Sequence, residues 1–350
     1  MIQLIAYLYL FLFSINLMGA SLKMFGKGLA ETMIASTSVP LVGLFIGILA
    51  TSLIQSSSST TSIVVGMVGG GVLTVPNAIP IIMGANIGTS VTNTLVSIAH
   101  INRSLEFRRS FSAATVHDFF NLLAVLVIFP LQSLTNFLGT AATFLADQFY
   151  SIGGMQLFNP LKSATNPLVK LLTRWIGQYP WILLALSVIL LFLSLKYVIN
   201  ALKVLVVKKA EVWFDRVLFR TAIRAFVVGL MLTILAQSSS ITTSLIIPMA
   251  AAGILSLEQI FPYTLGANIG TTFTAILAAL AIANPSAVVV AFVHLLFNIA
   301  GIVIWWPLRK LPLFLARKLS GLALRNRFLP FAYIITVFFL VPLAVIILLR

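Results

Sequence analysis

Two polar tetrapeptides buried in apolar stretches constrain this chain more than any other feature. Gln55, Ser56, Ser57 and Ser58 recur 182 residues later as Gln237, Ser238, Ser239 and Ser240. At the same offset, Gly84, Ala85, Asn86, Ile87, Gly88 and Thr89 match Gly266, Ala267, Asn268, Ile269, Gly270 and Thr271. Without gaps, 18 of 38 positions agree between 55–92 and 237–274. Many of the identities are polar, so a shared apolar bias does not produce them. The repeat continues: His117 and Asn121 align with His294 and Asn298 at an offset of 177. A fixed-offset repeat of this length means two copies of one structural unit.

The background of these motifs decides the solvent. Of 350 residues, 60% are hydrophobic and 8% charged, with mean hydropathy +1.10. A soluble domain carries about 25% charged residues, and disorder needs low hydrophobicity with high charge. The expectation is an all-α polytopic membrane protein. Apolar stretches near 20 residues, the length that spans a bilayer, occur at 2–20, 111–131, 181–200, 287–306 and 329–349. Residues 1–17 lack the basic start of a signal peptide, since the first lysine is Lys23, and read as a retained span. Around each tetrapeptide the apolar stretches are short and broken by Gly, Ser and Thr. That pattern predicts a re-entrant hairpin and a broken helix in each copy.

Lys and Arg number 22 against 7 Asp and Glu, net +15. In a soluble protein this would suggest nucleic acid; in this one it reports topology, since Lys and Arg collect in cytoplasmic loops. The basic clusters at 103–109, 196–224 and 309–327 are placed inside, and the 132–156 stretch, which has no Lys or Arg, outside. Lys162, Lys170 and Arg174 fit that outside placement less well. The loop before the His…Asn span is basic in copy one (Arg103, Arg108, Arg109), whereas the matching 281–286 loop is not. After the span the bias reverses, with Arg309 and Lys310 in copy two. The two copies therefore read as inverted, the organisation of secondary transporters that bind at the repeat interface. The expected segments are repeat one at 1–131, an external connection at 132–180, repeat two at 181–308, and a basic segment with a final span at 309–350.

No cysteine is present, which removes disulfides and thiolate chemistry. Three His and seven acids make a protein-built metal centre, or any other cofactor, an unfavourable reading. The hydroxyl runs that follow Gln55 and Gln237 could serve helix packing, but duplication together with the Gly-Ala-Asn-Ile-Gly-Thr runs favours binding. Broken helices expose N–H groups that attract anions and C=O groups that attract cations. Gly88 and Gly270 would let the backbone approach a ligand. No Lys or Arg lies within either motif, so a bound oxyanion would take its counter-charge from small hard cations on hydroxyl and carbonyl oxygens. Asp118, between His117 and Asn121, is an acid within an apolar span, where burial costs at least about 2.5 kcal/mol, and suits one further cation. Copy two has Leu295 there. His117 and His294 are read as hydrogen-bonding between helices. A serine hydrolase is disfavoured, because the duplicated Ser runs offer no unique nucleophile and His294 has no acid beside it.

These motifs resemble the type II sodium/phosphate cotransporter family: QSSSSTTSIVVGM at 55–67, AIPIIMGANIGTSVTNTL at 78–95, FRRSFSAATVHDFFN at 107–121 and YTLGANIGTTFTAILAAL at 263–280. The resemblance covers most of 8–131 and 181–307. It implies a shared phosphate site on Ser56, Ser57, Ser58, Ser238, Ser239 and Ser240, which extends to Asn86, Thr89 and Asn268 of the companion runs. It implies sodium sites using Gln237, Ser238, Thr271 and Thr274, with Gln55 as the counterpart of Gln237, and a further sodium at Asp118 and Asn121. Because electroneutral members have Gly at the Asp118 position, electrogenic import of divalent phosphate is expected. Another oxyanion, or an uncoupled channel, is the alternative on the same fold. Animal members usually have Ser where Ala85 and Ala267 stand, and a longer, cysteine-containing external loop. The chain therefore resembles a compact bacterial member, multi-pass in the cell membrane, whose partners are phosphate, sodium and lipid, not nucleic acid. A homodimer would be compatible with the sequence but is not indicated by it.

Overall fold

A computed structural model describes residues 2–151, 154–213 and 219–349; residues 214–218 of the basic 196–224 stretch lie outside the described residues. The described chain is helical. Copy one contains α1 (Ile2–Met24), α2 (Gly26–Ser36), α3 (Pro40–Ile54), α4 (Ser57–Gly69), α5 (Val75–Gly88), α6 (Val91–Ile98) and α7 (Ser104–Thr135). Then come α8 (Phe137–Ser151) and α9 (Gly154–Ile176). Copy two contains α10 (Pro180–Trp213), α11 (Ala222–Ala236), α12 (Ser239–Ala251), α13 (Leu257–Ile282) and α14 (Pro285–Trp305). The chain ends in α15 (Lys310–Arg325), α16 (Leu329–Ile335) and α17 (Val341–Leu349), the last two joined by a π-turn at Thr336–Leu340. Seven of the described helical stretches are long and apolar enough to cross a membrane; an eighth is possible if α2 and α3, which meet at 98°, form one span. The protein is an all-α polytopic membrane protein.

Local sequence sets the element boundaries. Pro40 and Pro285 open α3 and α14 in the first turn, where a missing N–H costs nothing. The Asn284 side chain accepts from Ser286 and Ala287 N–H groups. Ser256 and Gln259 form a reciprocal capping box at the start of α13. Gly71 and Gly253, aligned in the repeat, both take φ of 76° in the turns between α4 and α5 and between α12 and α13. Only a residue without Cβ takes that conformation without strain.

The connection between the copies, read as an external loop at 132–180, is largely helical. α8 buries Leu138, Ala142 and Ala146 against the body, packing on α14. Apolar side chains such as Leu126, Leu134, Ile347 and Leu348 point outward, as lipid-facing positions do. The interior is unusually polar: every residue from Ser57 to Ser62 is buried, as are Asn86, Asp118, Asn121, Asn268 and Asn298.

Without a hydrophobic force between helices in lipid, association relies on close packing and interhelical hydrogen bonds. α3 packs along α5, and α11 packs along α13. Gly84 sits against the Leu44 carbonyl and Gly47 against that of Ile81; in copy two, Gly266 sits against Phe226 and Gly229 against Tyr263. Each position leaves no room for a Cβ. The copies also interlock, because α4 packs on α13 and α14 while α12 packs on α6 and α7.

Candidate functional site

Each tetrapeptide is a break between two helices. Gln55 ends α3 and Gln237 ends α11, both in the left-handed region, with φ of 56° and 53°. A non-glycine residue there is uncommon and costs of order 1 kcal/mol. The next residue is extended in both copies, Ser56 at φ −151° and Ser238 at −156°. Its hydroxyl caps the following helix: Ser56 Oγ accepts from Ser59 N at 3.2 Å, and Ser238 Oγ from Ile241 N at 3.4 Å. The first-turn N–H groups of α4 and α12 therefore begin at Ser57 and Ser239, and they bring the positive ends of two helix dipoles.

The breaks meet. Gln55, Ser56 and Thr92 from copy one, with Ser238, Ser240 and Ser244 from copy two, line one cleft of about 340 Å³. Ser57, Ser58 and Ser239 are buried beside it in the first turns of α4 and α12. The Ser58 hydroxyl has no hydrogen-bond partner among the described residues.

The two glutamines differ. Gln237 is buried; its Oε1 accepts from Thr274 Oγ1 at 2.8 Å, and its Nε2 donates to the Ile234 carbonyl. Gln55 is exposed to the cleft, and its counterpart partner, Thr92, keeps a buried hydroxyl without a bond. The Gln–Thr clasp is thus closed in copy two and open in copy one. Thr89 and Thr271 hydroxyls donate back to their own helices, to Ala85 O at 3.0 Å and Ala267 O at 3.1 Å.

Asn86 and Asn268 do not line the cleft. They hold the copies together through a crossed network with the His…Asn helices. His117 Nε2 lies 2.6 Å from Asn268 Oδ1, and His294 Nε2 3.4 Å from Asn86 Oδ1. Asn121 Nδ2 donates to Asn86 O at 2.9 Å; Asn298 Nδ2 donates to Asn268 O at 3.3 Å. Asn268 Nδ2 closes the centre on Asn121 Oδ1 at 2.8 Å. Both histidines thus bridge helices from opposite copies, the role expected of them. Gly88 and Gly270 also serve packing rather than a ligand. Gly88 lies against Ile48 O and Thr51, Gly270 against Leu230 O and Thr233, so there is no open space in front of either.

Asp118 is fully buried on α7. One carboxylate oxygen, Oδ2, accepts from Tyr333 OH at 3.0 Å and Thr94 Oγ1 at 3.3 Å. The other, Oδ1, has no partner among the described residues. The Ser90 hydroxyl also lies close to this carboxyl group, so it is a carboxylate with one oxygen oriented by two hydroxyls and the other making no hydrogen bond among the described residues.

The sequence pattern described as Na+/Pi-cotransporter matches residues 10–156 and 190–312, more than half of the chain. The chain belongs to the Na+/Pi-cotransporter family. Among its relatives are sodium-dependent phosphate transport protein 2B of Pongo abelii, 34% identical, and that of Homo sapiens, 33% identical. Each comparison covers 99% of this chain and 64% of the relative. Sodium-dependent phosphate transport protein 2A of Ovis aries is 34% identical over 97% of this chain and 66% of its own length. This family member thus spans a little under two thirds of the length of the relatives it matches. No solved structure matches it.

Sequence reasoning missed two polar side chains of this cotransporter-family chain, Asn93 at the edge of the cleft and Tyr333 beside Asp118. Asn93 Oδ1 accepts from Thr243 Oγ1 at 2.9 Å and Ser244 Oγ at 3.1 Å, tying α6 to α12 at the edge of the cleft. Asn93 lay in a polar run that already marked the region. Tyr333 had no such signal, because it sits in an apolar final span outside both repeats.

Proposed function

We propose that this protein imports inorganic phosphate with sodium as the coupling ion, by alternating access between two inverted halves. One observation carries the reading: both serine-rich breaks line a single cleft, with two helix N-termini beside it and no Lys or Arg among its lining residues. Such a cleft offers hydroxyl and N–H donors to an oxyanion but no fixed counter-charge. Sodium on neighbouring oxygens supplies the missing charge and makes anion binding depend on the cation. The names of the relatives, sodium-dependent phosphate transport proteins, select phosphate among oxyanions.

In this reading Ser56, Ser57, Ser58, Ser238, Ser239 and Ser240 hold phosphate through hydroxyls and first-turn N–H groups. Gln237, Ser238, Thr271 and Thr274 form one sodium site, with Gln55 the matching group in copy one. Opening the Gln237–Thr274 hydrogen bond frees two oxygens for the ion. Asp118 takes a further sodium on Oδ1, beside Asn121. Asn86, Thr89 and Asn268, whose side chains are committed to helix partners, position the hairpins. In this reading the basic clusters at 103–109, 196–224 and 309–327 lie on the cytoplasmic side of a cell membrane, and Asp118 supports electrogenic carriage of divalent phosphate.

Purified protein in liposomes takes up phosphate when an inward sodium gradient is imposed, and does not when choline replaces sodium. Equal uptake in choline removes the coupling from the proposal. Ser58→Ala and Ser240→Ala, at matched positions in the two copies, should each weaken apparent phosphate affinity. Loss of a hydrogen bond to a charged group is worth about 1.5–3 kcal/mol, so roughly tenfold or more is expected. An unchanged affinity in either variant assigns that hydroxyl to packing.

A further inference from the structure

A second cavity lies apart from the proposed transport cleft. A cavity of about 450 Å³ opens between the start of α7, the turn joining α12 to α13, and α15, and it shares no lining residue with the cleft. Three arginines from two distant parts of the chain, the adjacent Arg108 and Arg109 and the remote Arg317, line it with Ser112, Gly253 and Gln259. Two of the three basic clusters visible in the sequence therefore meet at one place.

The charges there are unevenly used. Arg317 is paired with Glu258. The guanidinium groups of Arg108 and Arg109 have no hydrogen-bond or ion-pair partner among the described residues. Two adjacent cations on one helix repel each other, so a cavity that gathers them without an acid is organised for an anion from outside the chain. The Arg109 guanidinium lies beside Gly253 at that turn. Gly253 has φ of 76°, a backbone conformation that favours glycine. The N-terminus of α13 contributes little, because its own capping box occupies Ser256 and Gln259.

We propose that this cavity binds a phosphate group, either as free inorganic phosphate or as the headgroup of an anionic lipid. The guanidinium fork matches phosphate oxygens in pairs, and a planar, weakly hydrated cation suits a half-open cavity better than an ammonium. The site has no equivalent at the matching place in the other repeat. The 281–286 loop, which corresponds in copy two to the loop before α7, has no Lys or Arg. It therefore faces one side of the membrane, and the positive-inside bias makes that side cytoplasmic. A ligand there bridges α7 and α15 to the turn of the α12–α13 hairpin. That hairpin carries Ser239 and Ser240 at its other end, so the ligand is placed to influence the transport cleft. The site itself does not depend on what the cleft carries.

The test uses the full chain in choline buffer without sodium. Inorganic phosphate labelled with phosphorus-32 is titrated in one arm. In the other, retention of phosphatidic acid over phosphatidylcholine is read by native mass spectrometry. Arg108→Gln/Arg109→Gln should weaken binding at least tenfold in one of the two arms, and that arm identifies the source of the phosphate group. Arg109→Lys should recover part of the loss, while Ser240→Ala leaves this sodium-free binding unchanged. Both arginines are exposed, so the melting temperature should hold. The proposal is overturned if the double variant binds both probes as wild type does, or if Ser240→Ala rather than the arginine pair abolishes the binding.

Discussion

Gly266→Val leaves no monodisperse folded protein, and Gly84→Val does the same. A Cβ on Gly266 would run into the backbone carbonyl of Phe226 and approach Leu230 N; on Gly84 it meets Leu44 O and Ile48 N. Neither obstacle is the end of a flexible side chain that could move aside. The helix pair itself has to separate, because α3 and α5, like α11 and α13, approach backbone to backbone at these glycines. Overpacking in a well-packed core costs about 1–3 kcal/mol when side chains can yield. Separating two helices along their length also forfeits the close contacts that hold membrane helices together. Against a total stability of about 5–15 kcal/mol, this should abolish the folded peak in fluorescence-detected size exclusion. Gly321→Val is the control, because nothing lies within 4 Å of a Cβ built there. A wild-type elution profile and melting temperature for Gly266→Val would show that the α11–α13 contact is not what holds copy two together.

The same glycines mark the limit of what could be read from residues alone. Duplication of the motifs was legible, and local geometry follows it closely. Gln55 and Gln237 share a left-handed turn, Ser56 and Ser238 share an extended cap, and Gly71 and Gly253 share one φ. Conformations of this kind are set by nearest neighbours, so equal sequence produces equal structure. Direction across a helix is set by tertiary register. Gly88 and Gly270 suggested a backbone open to ligand, yet both face a neighbouring helix. Asn86 and Asn268 suggested substrate ligands, yet both point at histidines of the opposite copy. The polar run after Asn86 suggested a break. In copy one it interrupts the helix only at Thr89 and Ser90, both still near helical geometry, so that α5 and α6 form one stretch from Val75 to Ile98, and α13 runs unbroken through the matching residues. The difference between an exposed Gln55 and a clasped Gln237 is a property of one conformation. Two identical tetrapeptides carry no trace of it.

Asp118→Gly should keep phosphate uptake and lose its dependence on voltage. The carboxylate lies at membrane depth with Oδ2 held by Tyr333 and Thr94 and Oδ1 unpaired. A free oxygen on a buried, oriented carboxylate is costly to leave empty, and a sodium ion would satisfy it. Leu295 stands at the matching place in copy two, so no second group of this kind replaces it. If Asp118 holds the further sodium proposed for it, removing the carboxylate removes one coupling ion and, with it, the net charge moved per cycle. Moving one charge through 100 mV is worth about 2.3 kcal/mol, so the variant's accumulation ratio should fall roughly 40- to 50-fold at that potential. In liposomes with a potassium-diffusion potential, wild-type uptake should rise as the interior is made negative, and that of the variant should not. Asp118→Asn keeps the side-chain shape and avoids glycine within α7, where the backbone cost is about 1 kcal/mol; it should show the same loss. Persistent voltage dependence in both variants would move the extra charge to another residue and leave Asp118 as a structural acceptor for Tyr333 and Thr94.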